Sequence, residues 1–460
     1  MEEVRGSSTV GATFERDWTK GSIVRNLLSL WWPMAISGLL MSLGPTIDMI
    51  WVGRLGTHSI AAVGVAGMAV MVINSLRIGL YQGLRAIVAR FVGAGDKRGA
   101  NLVTQQAFVI AVAFSIFTAI IGQFFSEPIL MLLGLEADVV ASGAAYMRIQ
   151  FVGGVTMSLW GVAEAGMQAS GDAVTPMKIS VGARLLHVAL CPFLIFGWWL
   201  FPRLGVNGAA LTGVFSQGIA GGIGLWFLVS ERTRLRLTFR NFRFDGNIIW
   251  RMLKIGIPAG INNMERSFAD LVLMWFIVPF GTIAVAAHSL AGRMDGFIHM
   301  PSSGLGQSAG VLAGQNLGAG KPERAERTGW LAAGLFTGVM VIASLVIWFW
   351  VEPLVRIFNA TPALVEIAST FLRIQIVSYM LFGIVMVLMN CLNGVGDTMI
   401  TMLTTLITMW LVVVPLAYFL PRVTDLGVYG VRWGIVSGTI IRGVIFAIYF
   451  KLGRWKRKKV

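Results

Sequence analysis

Twelve apolar runs, each about as long as a bilayer is thick, succeed one another between glycine, proline and charged punctuation. They fall near 24–51, 57–82, 100–124, 140–168, 174–200, 206–229, 247–277, 282–312, 328–351, 363–391, 398–420 and 428–450. A helix crosses the hydrocarbon core with ~20 apolar residues, so the pattern predicts an all-α, multi-pass membrane protein. Composition agrees, because 56% of the 460 residues are hydrophobic and 13% are charged. An even number of spans places both ends on one side. The ends of the chain and the even-numbered loops, with their flanking turns, hold most of the 37 Lys and Arg residues. The odd-numbered loops hold Arg54, Arg203, Arg356, Arg422 and Arg432. Both termini are therefore expected in the cytoplasm, with the chain in an inner or plasma membrane. The polar first 22 residues lack a short apolar region with a cleavage site, so no cleaved signal peptide is expected.

The net charge of +15 follows from this loop placement and gives no reason to expect nucleic acid as a partner. Cys191 and Cys391 both lie in apolar segments and form no CxxC, and the four histidines are scattered. No zinc or haem framework is expected. Gly93-Ala-Gly95 and Gly318-Ala-Gly320 lack the GK[ST] ending of a phosphate loop, so no nucleotide and no cofactor are expected.

The chain repeats itself at an offset of 225, the separation of Pro33 from Pro258. Gly56-Thr57 meets Gly281-Thr282, Gly93-Ala-Gly95 meets Gly318-Ala-Gly320, Arg148-Ile-Gln150 meets Arg373-Ile-Gln375, and Gly171-Asp172 meets Gly396-Asp397. The expected organisation is an N-terminal lobe of six helices over 1–229, a basic cytoplasmic linker over 230–246 and a C-terminal lobe of six helices over 247–460. Six is even, so the repeats run parallel. That arrangement is used by transporters with a central cavity at the repeat interface. Arg232–Lys254 alternates basic and apolar residues and reads as a surface linker against anionic lipid. A duplicated chain needs no partner to complete its interface, so a monomer is expected.

The first span contains a carboxylate. Met41, Pro45 and Asp48 stand at i, i+4 and i+7 on one helical face. A carboxylate in hydrocarbon costs roughly 2.5 kcal/mol or more, so such groups face a cavity or a bundle interior. Pro45 also frees the Met41 carbonyl. A proton or a small cation such as sodium could be held there; the alternative is a carboxylate at the membrane edge or paired to Arg54.

Four stretches then carry a resemblance to a known family: TIDMIWVGRLGTHSIAAVGVAG, AEAGMQASGDAVTPM, GTIAVAAHSLAGRMDGF and AGVLAGQNLGAGKPERAER. In this order, with the duplication, the chain resembles the MATE (multidrug and toxic compound extrusion) transporters over nearly its whole length. The resemblance implies a secondary antiporter, not an enzyme, that exports amphipathic and often cationic organic compounds against an inward flow of protons or sodium. In one branch the coupling residues are acids of the first and fifth helices. Asp48 matches the first. That branch carries an Asn and an Asp, then Pro, in the fifth helix; here His187 takes the Asn place and Cys191 the Asp place before Pro192. The other branch uses acids of helices seven and ten. Glu265 lies near the first of these places, and Ile374–Asn390 contains no acid.

Further polar groups lie inside the spans. Arg184, His187 and Cys191 share a face at i, i+3 and i+7. His187 could share proton duty with Asp48, since imidazole titrates near neutral pH; the alternative is an Arg–Asp pair with a hydrogen-bonded histidine. Glu265 has Asn262 one turn before it, and His288, Asp295 and His299 share a face of span eight. These groups, with Met41, Arg184 and Cys191, are candidate cavity-lining residues, or a network bracing the second lobe. Asp48 is the leading coupling carboxylate, and protons are favoured over sodium because His187 replaces a neutral ligand. Arg77, Arg184 and Arg293 keep a related lipid-linked glycan flippase as the alternative. A lipid-modifying membrane enzyme and a plain channel are less well supported, because the polar groups are dispersed and the chain is duplicated.

Overall fold

A computed structural model describes residues 16–132, 134, 136–199, 201–230, 232–240, 242–358 and 361–458, apart from the side chains of 297–300. The described chain is helical with no strand. In order, the first repeat forms α1 (Ile23–Val52), α2 (Thr57–Gly93), α3 (Lys97–Leu132), α4 (Ala137–Val152), α5 (Gly154–Ser170), α6 (Val174–Phe196) and α7 (Val206–Val229). The second forms α8 (Gly246–Ile277), α9 (Thr282–Gly318), α10 (Pro322–Phe358), α11 (Pro362–Gly394), α12 (Thr398–Thr408), α13 (Val414–Val423) and α14 (Tyr429–Leu452). Among the described residues nine helical segments are long and apolar enough to cross a membrane.

Two expected spans are interrupted. Span four breaks at Gly153 into α4 and α5, where the Gly153 N–H donates to the Ile149 carbonyl at 2.8 Å. Span eleven passes through a π turn over Met409–Val413 between α12 and α13. Pro415 follows after Val414, and its missing N–H removes one rung of the helical ladder. Several helices outlast their apolar runs. Hydropathy marks the part that crosses the membrane, whereas the backbone ladder of α2 continues to Gly95. There a φ of 77° ends it, as 72° at Gly320 ends α9. The two turns are bonded alike: Asp96 N–H donates to Phe91 O, and Lys321 N–H donates to Asn316 O.

The repeats also match in their side-chain pairs. Arg148 reaches Glu127 at 3.0 Å, and Arg373 reaches Glu352 at 3.1 Å, 225 residues on. The same ion pair thus ties the third helix of each repeat to the fourth.

The chain forms two compact units. One comprises Ile36–Gly256 with the described residues before Ser22; the other comprises Ser22–Ala35 with Ile257–Val460. The first halves of α1 and α8 are thus each taken up by the unit built mainly from the other repeat. In the first unit the start of α8 packs on α2, where a Cβ on Gly83 would lie 2.7 Å from Met252 O. In the second, the Trp31 indole N–H donates to Pro301 O at 3.0 Å, and Gly304 lies against Ala35. The basic linker belongs to the first unit. Its apolar residues Leu235 and Leu237 are buried. Its backbone is tied to α3 by Asn101, Gln105 and Gln106, with Gln106 donating to Arg243 O at 2.7 Å.

The second unit is closed where α9 and α11 cross. A Cβ added at Gly310 would lie 2.8 Å from Asn390 O, a contact with backbone that no rotamer relieves. Gly310→Val is expected to destabilise the protein by about 1–3 kcal/mol, the usual range for overpacking. Thermal unfolding of the purified protein in detergent checks this, with Gly334→Val as the control, since Gly334 has no atom within 4 Å of its added Cβ.

Candidate functional site

α1 stays helical through Pro33 and Pro45 and carries Asp48 into the first unit. α6 presents His187 and Cys191, four residues apart and so on one face. His187 Nε2 lies 2.9 Å from Asp48 Oδ1, and the Cys191 thiol donates to the same oxygen at 3.6 Å. From α7, Ser216 Oγ stands 3.4 Å from His187 Nδ1 and 3.1 Å from Gly213 O. The three principal groups are 5%, 3% and 0% exposed. They sit in an apolar core that includes Val52, Val63, Leu130, Tyr146 and Ile195.

The hydrogen-bond pattern leaves room for one proton. A neutral imidazole donating Nε2–H to Asp48 must accept at Nδ1. Ser216 has one O–H proton and can give it to Nδ1 or to Gly213 O, not to both. An imidazolium donates from both nitrogens, to Asp48 and to Ser216 Oγ, and frees the serine proton for Gly213 O. Adding one proton therefore completes the chain from Asp48 to Gly213.

Arg184 lies one turn from His187, over Gly44 of α1, where an added Cβ would run into its Nη1. Its Nε is buried without a hydrogen bond, and the charge of Asp48 acts on it. Met41 is 59% exposed and Pro45 is also exposed, so of the expected α1 face only Asp48 enters the cluster. Arg54 does not pair with Asp48; it stacks on Trp51 with 4.7 Å to the ring centroid.

The polar groups of the second unit are arranged differently. Asp295 Oδ1 accepts from Tyr379 O–H at 2.6 Å, and Asp295 Oδ2 lies 3.9 Å from Arg432. Arg432 also donates to His288 O at 3.3 Å and lies over the Phe371 ring. His288 Nδ1 is buried without a hydrogen bond, as is Glu265 Oε1. The charge of Arg442, which donates to Thr408 Oγ1 at 3.0 Å, acts on Glu265. Asn262 donates to Met389 Sδ at 3.6 Å. The His299 side chain lies outside the described residues.

Two participants escaped the sequence. Ser216 is one serine among many in the spans, and nothing in its neighbours marks it. Arg432 was counted with the odd-loop cations, but it sits in the first turn of α14 and is 1% exposed. Its place four residues into an apolar run was the available signal.

Comparison with known proteins decides the family. The family model MatE matches residues 33–193 and again 258–419, one copy on each repeat. The chain belongs to the MatE family. Its members are transporters, not enzymes. It is similar to the probable multidrug resistance protein YoeA of Bacillus subtilis (strain 168), 25% identical over 448 residues, 96% of each chain. It is also 28% identical over 398 residues to a protein of Shewanella oneidensis (strain ATCC 700550) named an FAD transporter, covering 86% of this chain and 87% of that one. Among solved structures, a MATE protein in the bent conformation superposes with a TM-score of 0.90 at 22% identity, covering 97% of this chain and 98% of that one. Two MatE repeats of six spans in a multi-pass membrane protein are therefore the frame in which the Asp48 cluster lies.

Proposed function

We propose that the protein is a proton-coupled antiporter of amphipathic organic compounds, cationic ones above all, with Asp48 and His187 as the coupling pair. The observation that carries this reading is a buried carboxylate bonded to a buried imidazole whose hydrogen-bond chain is completed by one proton. Membership of a multidrug-transporter family supports export of small molecules. A donor set of nitrogen and sulfur beside one carboxylate suits sodium poorly, since hard cations favour oxygen ligands.

Competition supplies the coupling. Protonation adds one positive charge to the N-terminal lobe. At about 8 Å and an effective dielectric near 20, a unit charge raises the energy of a bound cation by about 2 kcal/mol. Proton entry from outside thus expels cargo outward, and proton loss to the cytoplasm restores cargo affinity. Rocking of two six-helix lobes exposes the site to each side in turn. This reading places the monomer in the inner or plasma membrane with both ends in the cytoplasm. The relatives described above do not support the glycan-flippase alternative.

One observation favours a second cargo class. Arg184 has no hydrogen bond or ion pair to another described residue, and one relative is named for FAD, an anion. An anionic cargo at Arg184 would bind better with the proton than without it, the opposite linkage.

Purified protein in liposomes tests the main reading. An imposed proton gradient, acidic on the side that receives the cargo, is expected to drive movement of a fluorescent organic cation, and a sodium gradient alone is not. Transport driven only by sodium would contradict proton coupling.

A further inference from the structure

We infer that Asp48, His187 and Cys191 form a binding site for a borderline-soft divalent metal ion of the Zn2+ and Cd2+ class. Nothing in the MatE match requires such a site. It arises from the two α6 positions, His187 and Cys191, where this chain departs from the Asn and Asp of its resemblance.

The donor atoms are already gathered. Asp48 oxygen, His187 nitrogen and Cys191 sulfur all lie within 4.8 Å of one another, and all three residues are buried. With metal–ligand bonds of about 2.0–2.3 Å at tetrahedral angles, neighbouring donors stand about 3.4–3.6 Å apart. The Cys191 Sγ to Asp48 Oδ1 separation is 3.6 Å as it stands. The His187 Nε2 to Asp48 Oδ1 separation of 2.9 Å is a hydrogen bond and has to open slightly as the ion replaces the proton. One imidazole, one thiolate and one carboxylate, with a fourth position left for water, is an ordinary three-ligand zinc set. Thiolate and imidazole together select this class over sodium, magnesium or calcium.

The surroundings suit the ion as well. Ser216 Oγ at 3.4 Å from His187 Nδ1 accepts Nδ1–H and leaves Nε2 to the metal, the outer-shell contact that orients a ligating histidine. A divalent ion with one thiolate and one carboxylate is neutral overall, which burial tolerates better than an isolated charge. The site is not sealed, because the Asp48 side chain retains 8% exposure. Binding releases the Cys191 thiol proton and any proton held between Asp48 and His187, so metal and proton compete for the same atoms. Only that competition rests on the transport reading; the binding does not.

Titration of the full-length protein in detergent with Cd2+ alone, followed by thiolate-to-metal charge-transfer absorption, tests the site. The expected result is a band that saturates at one Cd2+ per chain and is lost in Cys191→Ser. It is retained in Cys391→Ser, whose thiol is buried in the other unit. Ser216→Ala, which removes no ligand, is expected to weaken binding by about 10–100-fold. Each variant is first checked for monodispersity, and Ser216→Ala carries the test if Cys191→Ser does not fold. A monodisperse wild type without the band, a band that survives Cys191→Ser, or unchanged affinity in Ser216→Ala would overturn the assignment. Absence of the band alongside intact proton-driven efflux sinks the metal site only. Cd2+ binding without proton-driven efflux sinks the transport reading only.

Discussion

Asp48→Asn is expected to abolish proton-driven efflux while leaving the protein folded. Asparagine keeps the shape of the side chain, and its Oδ1 still accepts from His187 Nε2–H, so the link between α1 and α6 survives. The exchange of a charged acceptor for a neutral one costs about 1 kcal/mol, the difference between hydrogen bonds to charged and neutral partners. What is lost is the pairing of a negative charge with a proton. Efflux under a proton gradient should fall by about tenfold or more, the size of effect that a coupling energy above about 1.4 kcal/mol produces. Cargo binding should persist but lose its dependence on pH. Proteoliposome efflux and size-exclusion profiles measure the two halves of this prediction. Normal coupling without Asp48 would move attention to Glu265 and the Arg442 charge that acts on it.

Arg432→Met is expected to be the most damaging single change to the second unit. Arg432 is 1% exposed and is engaged on several sides, by Asp295, the His288 carbonyl and the Phe371 ring. Losing one partner of a fully buried pair costs about 3–5 kcal/mol. Here the Asp295 side chain is 24% exposed and still feels the Arg266 charge, so the loss falls at the lower end of that range, about 3 kcal/mol. Asp295 would keep only its bond from Tyr379 among the contacts described above. The double change Arg432→Met with Asp295→Leu removes both charges and should recover much of the loss, because apolar replacement of a whole pair is often neutral. Thermal unfolding of the two singles and the double in detergent gives the coupling directly. Additive losses would mean that the 3.9 Å pair contributes nothing.

The sequence carried most of the architecture because its evidence is local and repeated. Twelve apolar runs, a 225-residue register and paired motifs survive any uncertainty about individual boundaries. Hydropathy is blind to the break at Gly153 and the π turn before Pro415, since neither changes how apolar the segment is. The loop tally of cations misplaced Arg432, which the apolar run over 428–450 contains, and neither signal shows the acid that faces it on α9. At the candidate site, Asp48, His187 and Cys191 were conspicuous as ionisable or reactive groups inside apolar spans. Helical spacing put the latter two on one face. Ser216 could not be found that way, because a membrane-helix serine usually bonds its own backbone, and only the packing of α7 against α6 gives this one a histidine. The same limit applied to Asp295. The expected face with His288 was visible, but Tyr379 and Arg432, which tie Asp295 into a brace, come from distant parts of the chain.

The measurement that tests competition between cargo and proton most directly is cargo affinity as a function of pH, with simultaneous detection of proton uptake or release, on the purified wild type. Binding of an organic cation is expected to expel a proton, so that affinity falls as the pH is lowered, by up to about tenfold per pH unit for one proton. Affinity that is independent of pH, or cargo binding that takes up a proton, would contradict it.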